Sequence, residues 1–400
     1  MPGANQSMDD KLLSLYAVCP PGLESVLFQE LRGIGVYSTR TTEANLAVPI
    51  PVELGSGGIE FDGTLNDLYR ANLHLRCASR ILLRLGSFHA SKFVELTRKT
   101  GNLDWQKYIT NQHPLAFRVT AHRSRLYHSG AVAERIAAGI AERVGFQPVI
   151  EKYREDIHAA QLIVVRLLEN ECTISLDASG APLHQRGYRQ ALAKAPLRET
   201  IAAGMLLASG WDQRSPLMDP FCGSGVIPIE AAWIAARIPP GYLRKFIFMD
   251  WPEYDAAAWK RLIDAVKNKI QTPAGAILGS DRDAGAVKMA AENAERAGAA
   301  SWVNFSRRAV SDIEPSARRG WVVTNPPYGL RISRNQDLRN LYAQFGNVLR
   351  ERCPGWQVAF LCNDDRLATQ TGLIFREGIS LVSGGLPIKL NRSVVPEKLT

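Results

Sequence analysis

Two rhythms of apolar positions run along the 400-residue chain, and they change over near residue 190. Before that point short apolar runs at strand spacing are separated by brief helical patterns. SLYAVCP reads as a strand and GLESVLFQELRGIG as a helix closing at Gly33 and Gly35. Residues 59–88 hold another strand, a helix around 64–80 and the apolar strand ILLRLGSF. LAFRVTA (115–121) reads as a strand, GAVAERIAAGIAERVG (130–145) as an amphipathic helix ending at Gly145, and 159–177 as a hairpin. These patterns predict small α+β units with interleaved antiparallel strands.

After residue 190 strands and helices alternate regularly. SPLMDPF leads through a glycine turn into an Ala-rich helix at 226–238, and AILGSDRD into a helix at 284–297. WVNFSRRAV, GWVVTNPPY, a helix at 336–351 and WQVAFLCN follow. Such alternation predicts βαβ crossovers over an open parallel sheet, a Rossmann-like doubly wound α/β domain over 190–400. Its boundary is expected near Lys194–Arg198, and a chain begun near Gln190 is expected to fold by itself.

Composition narrows the class. Hydrophobic residues at 46% and charged residues at 22% describe an ordinary globular protein. No run of about 18 apolar residues marks a membrane span. The start MPGANQSMDDK lacks the apolar core of a secretion signal, so a cytoplasmic protein is expected. Six scattered cysteines without a CxxC pair, and equally dispersed histidines, predict neither a disulfide framework nor a metal site. The net charge of +9 is concentrated: residues 65–128 carry eleven Lys/Arg against Asp67, Glu95 and Asp104. A polyanionic partner such as RNA is the expected reading. The alternative is a solvated helix face, since Arg76, Arg80 and Arg84 are spaced four apart. Arg118, His122, Arg123, Arg125 and His128, with Tyr127 among them, form a strand and following loop suited to phosphate and base contact, or simply a solvent-facing loop.

Four strand ends carry candidate chemistry, because ligands of open α/β sheets sit beyond the carboxyl ends of the strands. In DPFCGSG (219–225), Gly223 and Gly225 let the backbone approach a ligand and Asp219 can accept from an ammonium or hydroxyl. The loop is neither GxGxxG nor GxxxxGK[ST], so dinucleotide or triphosphate binding is not the first expectation. Asp281 in GSDRD can hold ribose hydroxyls, with Asp283 as the helix cap, although either acid could cap. Asp312 can accept from an adenine amine. In TNPPYG two prolines stiffen the loop and remove two donors, holding Asn325 and Tyr328 at its tip.

Together these turns resemble class I S-adenosylmethionine-dependent methyltransferases acting on an exocyclic or amide nitrogen. With SLYAVCPPGLESVLFQELRGIG, FRVTAHRSRLYHSG and LHQRGYRQALAKAPLRETIAAGMLL, nearly the whole chain resembles the THUMP-containing RNA guanine-N2 methyltransferases, closest to the bacterial 23S rRNA enzymes. The resemblance implies a ferredoxin-like subdomain at 14–64 with parts of 65–90, a THUMP RNA-binding domain at 65–180 and a single methyltransferase domain at 190–400. It implies S-adenosylmethionine as cofactor and no metal. Cofactor contacts would come from Asp219, Pro220, Cys222, Gly223, Ser224, Gly225, Asp281, Arg282, Asp312, Pro196 and Leu197. Asn325, Pro326, Pro327 and Tyr328 would be catalytic, with Tyr328 stacking on an extruded base. NPPY also serves N6-adenine methylases of DNA or RNA and protein glutamine methylases, so the motif alone leaves these rivals open. A non-catalytic RNA-binding assembly factor is the alternative of a different class.

Overall fold

The two rhythms become two seven-stranded sheets. The computed structural model describes residues 12–36, 57–154, 160–189, 197–328, 337–383 and 385–397. The first sheet is built from β1 (Leu13–Val18), α1 (Glu24–Gly33), β2 (Gly58–Gly63), α2 (Leu65–His74) and β3 (Arg80–His89). It continues through α3 (Phe93–Gly101), β4 (Leu115–His122), α4 (Ser129–Val144), β5 (Ile150–Glu151), β6 (Gln161–Leu168) and β7 (Glu171–Asp177). The strand order β2-β1-β3-β7-β6-β4-β5 joins what the sequence divides into small units, because β3 pairs with β7. Not every pair is antiparallel, contrary to expectation. β4 runs parallel to β6, since α4 crosses over between them.

Helix α2 also ends sooner than its apolar pattern predicts. Thr64 and Asp67 form a reciprocal capping box at its start, and the helix stops at His74. Arg80 and Arg84 therefore lie on β3, and the four-residue spacing with Arg76 marks no helical face.

The second half contains α5 (Glu199–Ser209), β8 (Leu217–Asp219), α6 (Val226–Ala235), α7 (Ala256–Lys267), β9 (Ile277–Asp281), α8 (Ala284–Arg296) and β10 (Val303–Arg307). Then come β11 (Trp321–Thr324), α9 (Arg339–Arg352), β12 (Gln357–Cys362), α10 (Asp365–Thr369), β13 (Arg376–Ser383) and β14 (Leu386–Val394). Strands β8 to β12 are parallel, in the order β10-β9-β8-β11-β12, as the alternation predicts. The antiparallel hairpin β14-β13 closes one edge and breaks that rhythm. The order reverses between β8 and β11, which opens a crevice at their carboxyl ends.

A buried ionic clamp joins the halves. Glu230 of α6 is fully buried; its carboxylate accepts from Arg186 Nε at 3.4 Å and from the Tyr188 hydroxyl at 3.1 Å, and lies 3.9 Å from Arg76. Arg186 also donates to the carbonyls of Leu183 and Arg76, and Arg76 to that of Ile238. Tyr69 of α2 stacks on Phe248 at 4.7 Å, and its hydroxyl accepts from the Asp255 amide. A cut near Gln190 would strip Arg186 and Tyr188 from Glu230, so the doubly wound domain is not self-contained there. The boundary residues 190–196 lie outside the described residues.

Removing one partner of a buried ion pair leaves an uncompensated charge, typically at a cost of about 3–5 kcal/mol. Arg186→Ala in the full chain should lower the urea midpoint accordingly. A midpoint unchanged within error would mean Glu230 is satisfied without it.

Candidate active site at the sheet switch point

Asp219 is the last residue of β8 and Thr324 the last of β11, side by side at the crevice. Asp219 is buried, and its Oδ1 accepts from the Thr324 hydroxyl at 2.5 Å and the Phe221 amide at 3.1 Å. Burial pushes its carboxyl up to about 7, with those two hydrogen bonds opposing and the nearby Asp281 charge adding. Asp219 thus ties two strand ends together, a role its position in the motif does not reveal.

The glycine loop turns between Asp219 and α6. Gly223 and Gly225 both have positive φ, 51° and 84°. Their tasks differ. A Cβ on Gly225 would come within 2.8 Å of the Phe305 ring and 2.9 Å of Ala290, so this glycine allows α6 to approach β10 and α8. A Cβ on Gly223 would meet nothing within 4 Å, so open space lies over that part of the loop. Pro220, Cys222 and Ser224 are buried; the Cys222 amide donates to the Ser280 carbonyl, and the Ser224 carbonyl accepts from Asn293.

Asp281, at the end of β9, accepts from the Gly223 amide at 3.1 Å and the Asp283 amide at 3.0 Å. Asp283 caps α8 through the Gly285 amide. A carboxylate offers about four lone-pair sites, so Asp281 keeps capacity for ligand hydroxyls. Arg282 beside it is exposed, and so is Asp312, in a short 3-10 turn after β10. Among the described residues Asp219, Asp281 and Asp312 form no ion pair, an arrangement that suits a cationic ligand rich in hydroxyls, as S-adenosylmethionine is. Leu197 is buried, and its carbonyl accepts from Arg189, which also pairs with the buried Glu199. Pro196 lies outside the described residues.

The NPPY loop leaves β11 directly. Asn325 is half-buried, and its Oδ1 is buried without a hydrogen-bond partner among the described residues. An orphaned buried acceptor costs about 1–3 kcal/mol, which a donor from a ligand would recover. The Pro327 carbonyl accepts from the Tyr342 hydroxyl of α9, fixing the loop's far side. Pro326 is buried and Pro327 half-buried. Tyr328 does not stand at an exposed tip as expected from sequence. It is 3% exposed and packs in the core.

The basic segment is less free than its charge predicts. Arg80 pairs with Asp177, Arg84 with Glu60, Arg70 with Asp67 and Lys107 with Glu253, while Arg76 belongs to the clamp. The candidate RNA-binding residues do lie together at one edge. Arg118 and His122 are exposed on β4, and Arg123, Arg125, Tyr127 and His128 are exposed just after it. Arg123 faces Glu169 at 3.6 Å across a mostly exposed gap. Such pairs contribute little. Among the described residues no group of three His, Cys, Asp or Glu side chains could hold a metal ion, and no helix is long and apolar enough to cross a membrane.

Family comparisons accord with this layout. Residues 186–373 match a family model described as RMKL-like, methyltransferase domain, residues 14–82 an RlmL ferredoxin-like domain, and residues 90–177 a THUMP domain. The chain is 34% identical over 387 residues to the ribosomal RNA large subunit methyltransferase K/L of Methylococcus capsulatus, covering 94% of this chain and 50% of that protein. It thus spans about half the length of such curated relatives. A putative RNA methyltransferase of Synechocystis sp. is 31% identical, with 94% of this chain and 95% of that protein covered. Among solved structures, one titled a predicted N6-adenine-specific DNA methylase from Listeria monocytogenes superposes with a TM-score of 0.83 at 30% identity, covering 96% of this chain and 97% of that one. A putative methyltransferase complexed with SAH gives 0.82 at 26% identity, covering 98% and 100%.

The raised Asp219 pKa carries a pH dependence. The folded state holds this proton more tightly than the unfolded chain, whose value is about 3.9. The associated stability is fully present below that value and lost as pH rises through about 7. Urea midpoints should therefore decline over this range, and Asp219→Asn should remove part of the decline. Glu199, raised to about 7 by burial, supplies a further part. An identical slope in the variant would refute the assignment.

Proposed function

Because the chain belongs to the RMKL-like methyltransferase family, with ferredoxin-like and THUMP domains ahead of the transferase domain, we propose that it is an S-adenosylmethionine-dependent RNA methyltransferase acting on an exocyclic base amine, guanine N2 of 23S rRNA, in the cytoplasm. The observation that carries this reading is the buried Oδ1 of Asn325, without a hydrogen-bond partner among the described residues, at the sheet switch point with an open glycine loop.

An aromatic amine is a poor nucleophile, because its lone pair is delocalised into the ring. Asn325 Oδ1 accepts one amine hydrogen and the Pro326 carbonyl the other. That orients the nitrogen and favours tetrahedral geometry, and the two prolines keep the acceptors in place before the substrate arrives. S-adenosylmethionine supplies an activated methyl group on a sulfonium. Asp281 would take ribose hydroxyls and Asp312 the adenine amine, and these carboxylates, which form no ion pair among the described residues, would favour the cationic cofactor over its neutral product. Tyr328 packs behind the loop in the structure and supports it; stacking on an extruded base requires its ring face to be uncovered. Arg118, His122, Arg123, Arg125 and His128 hold RNA through phosphate and shape.

The test is methyl transfer to 23S rRNA followed by mass spectrometry of the digested nucleosides. N2-methylguanosine is expected; N6-methyladenosine would favour the adenine rival, and no transfer would favour a non-catalytic RNA-binding role. Asn325→Ala should lose at least about tenfold in rate, roughly 1.4 kcal/mol, with cofactor affinity nearly intact. Asp281→Ala should instead weaken cofactor binding by about one to two decades, read by calorimetry. RNA affinity should fall with salt, and removing Arg123 and Arg125 together should flatten the log–log slope by about 0.7 to 0.9 for each phosphate no longer neutralised. An unaltered slope would clear both arginines of phosphate binding.

A further inference from the structure

We propose that Thr324 is a positioning residue for the transfer step: its hydrogen bond to Asp219 holds the NPPY loop in register with the glycine loop across the switch point. The inference rests on the methyltransferase reading above.

Strands β8 and β11 share a short ladder, pairing Trp321 with Leu217 and Val322 with Met218. Beyond it their paths diverge, β8 into the glycine loop and β11 into NPPY. The Thr324 hydroxyl bridges them there, donating to Asp219 Oδ1 at 2.5 Å with both side chains buried. The same oxygen accepts from the Phe221 amide, two residues before Gly223. One carboxylate oxygen therefore fixes the residue preceding Asn325 and the entry to the cofactor loop at once. Asn325 has no bond of its own to hold Oδ1 in place among the described residues. Its aim depends on its neighbours: Tyr342 anchors Pro327 on one side, and Thr324 anchors the other.

A bond that only filled space at a strand end would affect folding and cofactor affinity together. A positioning bond has a different signature, because misplacement of a reacting group by about 1 Å can cost on the order of 100-fold in rate without altering ground-state binding. It also has a protonation signature. A hydrogen bond to a carboxylate is roughly twice as strong as one to a neutral acceptor. The ionisable groups facing Asp219 are Asp281 at the end of β9 and the buried Cys222 of the loop, while β11 presents the Thr324 hydroxyl. Burial and Asp281 place the change of charge at about 7, so the tie weakens as pH falls through neutrality.

The experiment compares kcat, KM for RNA and calorimetric cofactor affinity in the wild type, Thr324→Val, Thr324→Ser and Asp219→Asn, with kcat followed from about pH 5.5 to 9. Thr324→Val should lose about 30- to 100-fold in kcat, while cofactor affinity stays within about threefold, roughly 0.7 kcal/mol. Thr324→Ser, which keeps the hydroxyl, should recover most of the rate. Asp219→Asn keeps an acceptor without charge, so the acid limb of the wild-type profile near neutrality should disappear. Wild-type kcat in Thr324→Val, or parallel losses of kcat and cofactor affinity, would overturn the proposal. Should Thr324→Val fail to fold, an acid limb unchanged in Asp219→Asn overturns it equally. Absence of transfer by the wild type would overturn the methyltransferase reading, and this inference with it.

Discussion

Glu230 is a carboxyl side chain with no exposed surface, and the arrangement of the molecule follows from how it is paired. A carboxylate in such a place requires cations and donors of fixed geometry. They come from outside its own helix: Arg186 and Tyr188 from the connecting segment and Arg76 from the turn after α2. Those same arginines hold main-chain carbonyls on both sides of the junction. The first sheet is consequently fixed to the second through directional bonds as well as through apolar packing. A surface on β4 then has a defined distance and orientation to the crevice at β8 and β11, which a flexible tether would not provide.

The parts of the fold most legible in the sequence are those whose local signals agree. Helix α4 has an amphipathic pattern and a left-handed Gly145 at its end, and the strand and helix rhythm from β8 to β12 is regular. Where a tertiary partner decides, local pattern is silent. The parallel pairing of β4 with β6 depends on a crossover whose destination no nearby residue encodes. The hairpin β13–β14 lies outside the strand–helix rhythm because no helix among the described residues follows either strand, and its place is set by antiparallel pairing with β12.

The site divides along the same line. That Asn325 and the glycine loop share one end of the sheet is legible, since both follow strands of one predicted parallel sheet. The separate tasks of Gly223 and Gly225 are not, because they depend on whether Phe305 and Ala290 stand opposite. Thr324 reads in the sequence as an ordinary strand residue; its hydroxyl gains meaning only from Asp219, 105 positions earlier. Net charge is the most misleading signal. Arg76, Arg80, Arg84 and Lys107 look like a polyanion-binding cluster when counted along the chain, yet each has a carboxylate partner from elsewhere in the fold.

The edge hairpin bears on how the molecule is made. The Val382 amide of β13 donates to the Pro21 carbonyl, just after β1, and Arg392 of β14 donates to the Ala208 carbonyl at the end of α5. Pairings of such sequence separation carry a large loop-closure cost and form late. During synthesis the turn after β1 waits for a strand that emerges some 360 residues afterwards. The two segments thus meet only once that later strand has been made, and the earlier strands spend the interval without this neighbour.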